Sequence, residues 1–173
     1  MDISIKPSVL QGIINIPASK SCTHRSIICA SLADGESIIS GISKSKDIDA
    51  TIQAMTALGA DFEINGNTLK ITGIKRAMKK ATIDCNESGS TLRFIIPIAA
   101  ALGIDTEFKG KGRLPQRPID IYIRELSRNG VNFISEKMPY IINGKLSGGI
   151  FEIEGDVSSQ FVTGLLFALP LLE

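Results

Sequence analysis

The chain has 173 residues, enough for one domain with a sizeable core, and its 19 basic and 18 acidic side chains leave a formal charge of +1. That balance offers no field for nucleic acid, and with seven Phe, two Tyr and no Trp there is little to stack on bases. The longest apolar runs, near 94–104 and 161–172, span about a dozen residues, short of the roughly twenty a membrane helix needs.

The elements are read in chain order. Ile13–Ile16 is predicted as a strand, leading through Pro17-Ala-Ser-Lys-Ser21 into a helix over 21–33. An amphipathic helix over Asp47–Leu58 follows, then alternating strands Asp61–Ile64 and Leu69–Thr72 with Asn65-Gly66 as the hairpin turn. The pattern then starts again. Ala81–Cys85 leads through Asn86-Glu-Ser-Gly-Ser90 into a helix over 90–102, and an amphipathic helix over Pro118–Arg128 has Pro118 at its first position. Asn143-Gly144 is the predicted turn of the second hairpin. A third strand, Ile150–Glu154, leads through Gly155-Asp-Val-Ser-Ser-Gln160 into an apolar helix over 159–172 that lacks a cap, so the third unit reads as truncated.

Recurrence at this period marks one supersecondary unit stacked on copies of itself. Arg25 and Arg93 hold matching places, as do Gly59-Ala-Asp-Phe62 and Gly130-Val-Asn-Phe133. Gly110–Arg117 is an insertion in the second copy, rich in glycine and predicted as a mobile loop that closes over a ligand. The helices over 21–33, 90–102 and 159–172 are apolar nearly all round and are predicted to be buried on every side, with Pro97 and Pro170 kinking two of them. The fold class is therefore α+β: repeated βαβαββ units with buried parallel helices and outward-facing sheets, over about 12–75, 80–148 and 149–173.

Each apolar helix begins with residues suited to anions, because free backbone N–H groups and the positive end of the helix dipole lie there. Ser21 and Arg25, four apart, put a hydroxyl and a guanidinium on one helix face, and Lys20 adds an ammonium at the helix start. Ser88-Gly89-Ser90 offers bare backbone, and Ser158-Ser159-Gln160 is a third polar cluster. Taken singly, each is accounted for by capping, with Ser19 as the cap of the first helix. Together, symmetry-related helix starts predict one site for a multiply charged small molecule. Asp47, Asp49 and Asp120 are read as N-terminal capping residues. His24, the only histidine, is assigned to packing or a local hydrogen bond, and nothing beyond its place near a helix start supports Cys22 as a nucleophile.

Lys20-Ser21 with Arg25, the Asn86–Arg93 stretch with Gly89, the Leu114-Pro-Gln-Arg117-Pro-Ile run and Ser158-Ser-Gln-Phe-Val-Thr-Gly164 together resemble the 5-enolpyruvylshikimate-3-phosphate synthase family. The resemblance implies an inside-out α/β prism and transfer of the enolpyruvyl group of phosphoenolpyruvate to the 5-hydroxyl of shikimate 3-phosphate, releasing phosphate. It implies that Lys20, Ser21, Arg25, Ser158, Ser159 and Gln160 hold shikimate 3-phosphate. Phosphoenolpyruvate would fall to Lys20, Gly89, Arg117 and Gln160. Residues 1–11 would be a strand of a second domain and 12–173 an incomplete first domain. The family's acid and base lie on that second domain, so the 173-residue chain alone is expected to be inactive. No catalytic residue, metal or cofactor is assigned within it. No nucleic-acid or membrane partner is expected either, and the full-length protein would be monomeric.

The related UDP-N-acetylglucosamine enolpyruvyl transferases share the fold, but they carry a Lys-Asn pair and a loop cysteine. Here Lys20-Ser21 and a cysteine-free 110–117 stand in those places. The alternative from another class is a non-catalytic anion-binding module. The first six residues lack a signal-peptide pattern, and an odd set of three cysteines without paired spacing predicts a reduced, cytoplasmic protein.

Overall fold

The computed structural model describes residues 3–4, 6–9 and 11–172. The first unit contains α1 (Lys20–Leu32), β1 (Glu36–Ser40), α2 (Lys46–Leu58), β2 (Asp61–Asn65) and β3 (Thr68–Thr72). The second repeats the order with β4 (Lys80–Asp84), α3 (Gly89–Ala101), β5 (Asp105–Lys109), α4 (Asp120–Arg128), β6 (Val131–Ser135) and β7 (Tyr140–Gly144). The third is represented by α5 (Ser159–Ala168) and a 3-10 turn over Leu169–Leu171.

Strand order is β1-β3-β2 in one antiparallel sheet and β4-β5-β7-β6 in the other, where only β4 and β5 run parallel across the α3 crossover. Both sheets bury one face. Leu69 and Ile71 of β3, with Ile83, Phe108 and Ile142, point into the core. On the opposite face Lys70 pairs with Glu36 at 2.9 Å in water. Alternation of this kind is the signature of a sheet with solvent on one side. Among the described residues no helix is long and apolar enough to cross a membrane.

The first sheet has three strands and the second four, because Ile13–Ile16 forms no counterpart to β4. Ile13, Ile14 and Ile16 stand exposed, and a β pattern becomes a strand only where its backbone finds a partner. The predicted strand at 150–154 is likewise irregular. Its main chain is tied to α4 instead: Glu152 N–H donates to the buried Glu125 carboxylate at 2.9 Å, and Arg124 Nη2 donates to Glu152 O at 3.0 Å. The strand expected over 1–11 falls partly on residues 1, 2, 5 and 10, outside the described set; those described within it are irregular.

The turns also differ from expectation. Gly66-Asn67, not Asn65-Gly66, closes the first hairpin, with Gly66 at φ +63° in the left-handed region that glycine tolerates. Asn143-Gly144 ends β7, and residues 136–139 make the second connection. Helix α4 starts at Asp120, so Pro118 lies outside it.

Only α3 is enclosed nearly all round, burying eleven of its thirteen residues. Helix α1 exposes Ser21, Cys22, Ser26 and Cys29, and α5 exposes Val162 and Leu166. The apolar composition of these two helices thus covers one packed face and one open face. Pro97 remains inside α3, whereas Pro170 sits in the 3-10 turn after α5 and ends that helix. Since Pro97 has no N–H, the Arg93 carbonyl four residues earlier is released toward α5. Gly164 of α5 packs there, where a Cβ would lie 2.5 Å from that carbonyl oxygen.

Candidate functional site

Three serines open the three helices alike. Ser19 Oγ accepts from Cys22 N–H at 3.3 Å, Ser88 Oγ from Thr91 N–H at 3.2 Å and Ser158 Oγ from Gln160 N–H at 3.3 Å. Lys20, Gly89 and Ser159 are therefore the first residues of α1, α3 and α5, and Ser21, Ser90 and Gln160 the second. The caps satisfy one N–H each, leaving the first two N–H groups of α1 and α3 for an anion, whereas in α5 Phe161 N–H also bonds Ser158 O at 3.2 Å and only the Ser159 N–H remains.

Side-chain contacts fix the helix directions. Gln160 Nε2 donates to Ser90 Oγ at 2.8 Å, joining the starts of α5 and α3. Lys20 Nζ donates to Asp47 Oδ2 at 2.6 Å, joining the starts of α1 and α2. A buried chain then links three of them: His24 Nδ1 lies 2.7 Å from Thr51 Oγ1, which lies 2.7 Å from Thr91 Oγ1, which donates to Ser88 Oγ at 2.7 Å. All four helices thus begin at one end of the molecule and run parallel. No sequence pattern marks this, since His24, Thr51 and Thr91 belong to three different helices.

The predicted residues form two groups at that end. Lys20, Ser21 and Arg25 lie on α1, where Arg25 Nη1 donates to Ser21 O at 3.0 Å and the guanidinium lies 5.3 Å from the centre of the Phe94 ring. Gly89, Arg117 and Gln160 form the second group. A Cβ at Gly89 would overlap Arg117 Nη1, so the guanidinium rests directly on bare backbone. Among the described residues no hydrogen bond joins Lys20, Ser21 or Arg25 to Ser158, Ser159 or Gln160; the α2–α3 relay connects the groups. Ser159 is exposed and Ser158 is committed to its cap.

The carboxylates behave differently from the sequence expectation. Ser45, not an aspartate, caps α2, accepting from Ile48 N–H at 3.3 Å, and α4 has no side-chain cap. Asp47 instead holds Lys20, a role that its distance in sequence hides. The insertion packs on its neighbours in this structure. Leu114 is fully buried, and Lys111 N–H donates to Asn86 O at 2.8 Å, while Arg113 and Arg117 are exposed.

His24 is 1% exposed, and among the described residues its Nε2 has no partner. Burial pushes its pKa down to about 4, helped by Lys20 and Arg25 and opposed by Asp47, so the ring is neutral in the fold. Because the unfolded chain protonates near 6.5, this stability is complete above that pH and is lost as pH falls toward 4. We expect the urea midpoint to drop between pH 7 and pH 5.5, above the carboxylate range, and the drop to vanish in His24→Gln. An equal drop in both proteins would remove His24 as the cause.

Comparisons with known proteins agree with this architecture. A family model described as EPSP synthase (3-phosphoshikimate 1-carboxyvinyltransferase) matches residues 5–173. The chain is 48% identical to a 3-phosphoshikimate 1-carboxyvinyltransferase of Clostridium kluyveri, over 98% of this chain and 41% of the relative. The corresponding figures for the Clostridioides difficile protein of the same description are 46%, 99% and 42%. An EPSP synthase structure from Acinetobacter baumannii superposes with a TM-score of 0.77 at 25% identity, covering 94% of this chain and 38% of that one. The chain thus spans about two-fifths of the length of the curated relatives it matches.

Proposed function

The chain belongs to the EPSP synthase family, and we propose that it supplies the anion-binding half of an enzyme that joins phosphoenolpyruvate to shikimate 3-phosphate. The observation carrying this reading is the meeting of parallel helix starts at one end, with Gln160 against Ser90 and Arg117 against Gly89. Two anions repel each other, so a site that unites them must offset that repulsion before any bond forms. Lys20, Ser21 and Arg25 present cations and a hydroxyl to shikimate 3-phosphate, together with Ser158, Ser159 and Gln160. Arg117 and the Gly89 backbone take phosphoenolpyruvate, with Lys20 and Gln160 reaching both ligands. Protonation of the enol methylene and deprotonation of the attacking hydroxyl fall to groups outside this chain. The protein would act in the cytoplasm as a monomer, with Cys22, Cys29 and Cys85 reduced.

The test is phosphate release by the protein at the full length of its relatives. Release that requires both phosphoenolpyruvate and shikimate 3-phosphate supports the reading. Release with UDP-N-acetylglucosamine in place of shikimate 3-phosphate, or none with either acceptor, overturns it.

One variant probes the bare backbone directly. Gly89→Ala in the full-length protein should raise the constant for phosphoenolpyruvate about tenfold, because the new methyl displaces Arg117 and stands where the anion meets the helix start. Circular dichroism and melting should be unchanged, since the displaced group is the end of an exposed, flexible side chain. An unchanged constant would reduce Gly89 to a packing residue.

A further inference from the structure

Arg93 matches Arg25 in the repeat, yet the proposed ligand contacts do not use it. Its terminal nitrogens are engaged by neutral acceptors: Nη1 donates to Gln160 Oε1 at 3.0 Å and Nη2 to Pro118 O at 3.3 Å. The guanidinium covers the Phe161 ring, 5.0 Å from its centre. Arg93 is half-buried, its Nε is buried without a partner, and no carboxylate pairs with it among the described residues.

We infer that Arg93 is a positioning residue that orients the Gln160 amide and holds the main chain next to Arg117, so that both anion subsites are set by one side chain. A guanidinium only donates, and it therefore selects the amide orientation in which Gln160 Oε1 faces Arg93. That leaves Gln160 Nε2, the donor, on the side of Ser90 and the α3 start, 2.8 Å from Ser90 Oγ. With the amide reversed, an acceptor oxygen would face the incoming anion. The second bond falls on the carbonyl of Pro118, directly after Arg117. Pro118 precedes α4 and lends that carbonyl to no helix, so Arg93 is its anchor. Burial and the nearby Arg117 both depress the Arg93 pKa, as two cations converging on one anion subsite would do.

This inference rests on the enolpyruvyl-transfer reading, and the test separates the two. In the full-length protein, Arg93→Met should raise KM for both substrates about tenfold, the loss of one charge-assisted hydrogen bond, with kcat lowered less than about threefold. Arg93→Lys keeps the cation but cannot reach two divergent acceptors, and should recover only part of the loss. In a Gln160→Met background, Arg93→Met should add less than about twofold to KM for shikimate 3-phosphate, because its partner is gone. Full additivity in that background, or Lys performing as well as Arg, overturns the inference while leaving the transferase reading intact. If Arg93→Met does not fold, the same cycle with Arg93→Lys decides. An unmutated full-length protein without phosphate release overturns both.

Discussion

Arg117→Ala in the full-length protein should weaken phosphoenolpyruvate by about 10- to 150-fold while changing shikimate 3-phosphate less than about threefold. The range corresponds to the roughly 1.5–3 kcal/mol contributed by a hydrogen bond to a charged group. Arg117 suits this role because its guanidinium lies on the Gly89 backbone, beside the free N–H groups that begin α3. The 3-10 turn over Leu114–Gln116 precedes it, and Leu114 is fully buried beneath that turn. Arg117 is itself exposed, so its removal leaves no cavity and the melting temperature should hold. Isothermal titration with each substrate separately is the measurement, and equal losses for both would assign Arg117 to a general field rather than to one subsite.

Gly164→Ala should destabilise the fold by about 2–3 kcal/mol, lowering the melting temperature by roughly 5–10 °C. An added Cβ at Gly164 would lie 2.5 Å from Arg93 O and 3.1 Å from Pro97 Cγ, and would overlap Tyr122 Oη. The first of these is backbone, so α3 and α5 must separate. Tyr122 is fully buried and donates to Phe161 O at 2.8 Å, a bond that its displacement would break. The same separation would pull Gln160 from Ser90, so substrate constants should rise with the loss of stability. Differential scanning calorimetry of the purified variant checks the first claim; a shift under about 1 °C would show that the helix contact tolerates expansion.

Much of this molecule was legible in the order of its residues. The doubled Gly-Ala-Asp-Phe and Gly-Val-Asn-Phe pattern, the period-two strands and the serine-capped helix starts are local signals, readable because strand alternation and capping act within a few residues. Helix α3 was legible for the same reason, its unbroken apolar run from Phe94 to Ala101 having no polar face to turn outward. Tertiary structure decided the rest. Whether Ile13–Ile16 and Ile150–Glu154 become strands depends on partners, and the second segment is bound to Arg124 and Glu125 instead. Similarly, Asp47 is a first-turn aspartate by sequence and the clasp of Lys20 in space, 27 positions away. The His24–Thr51–Thr91–Ser88 chain and the Arg93 bridge have no sequence signature, because each joins residues from different helices. Sequence determined which residues could hold an anion; only the parallel packing of the helices, fixed by long-range side-chain bonds, brought their starts to one end.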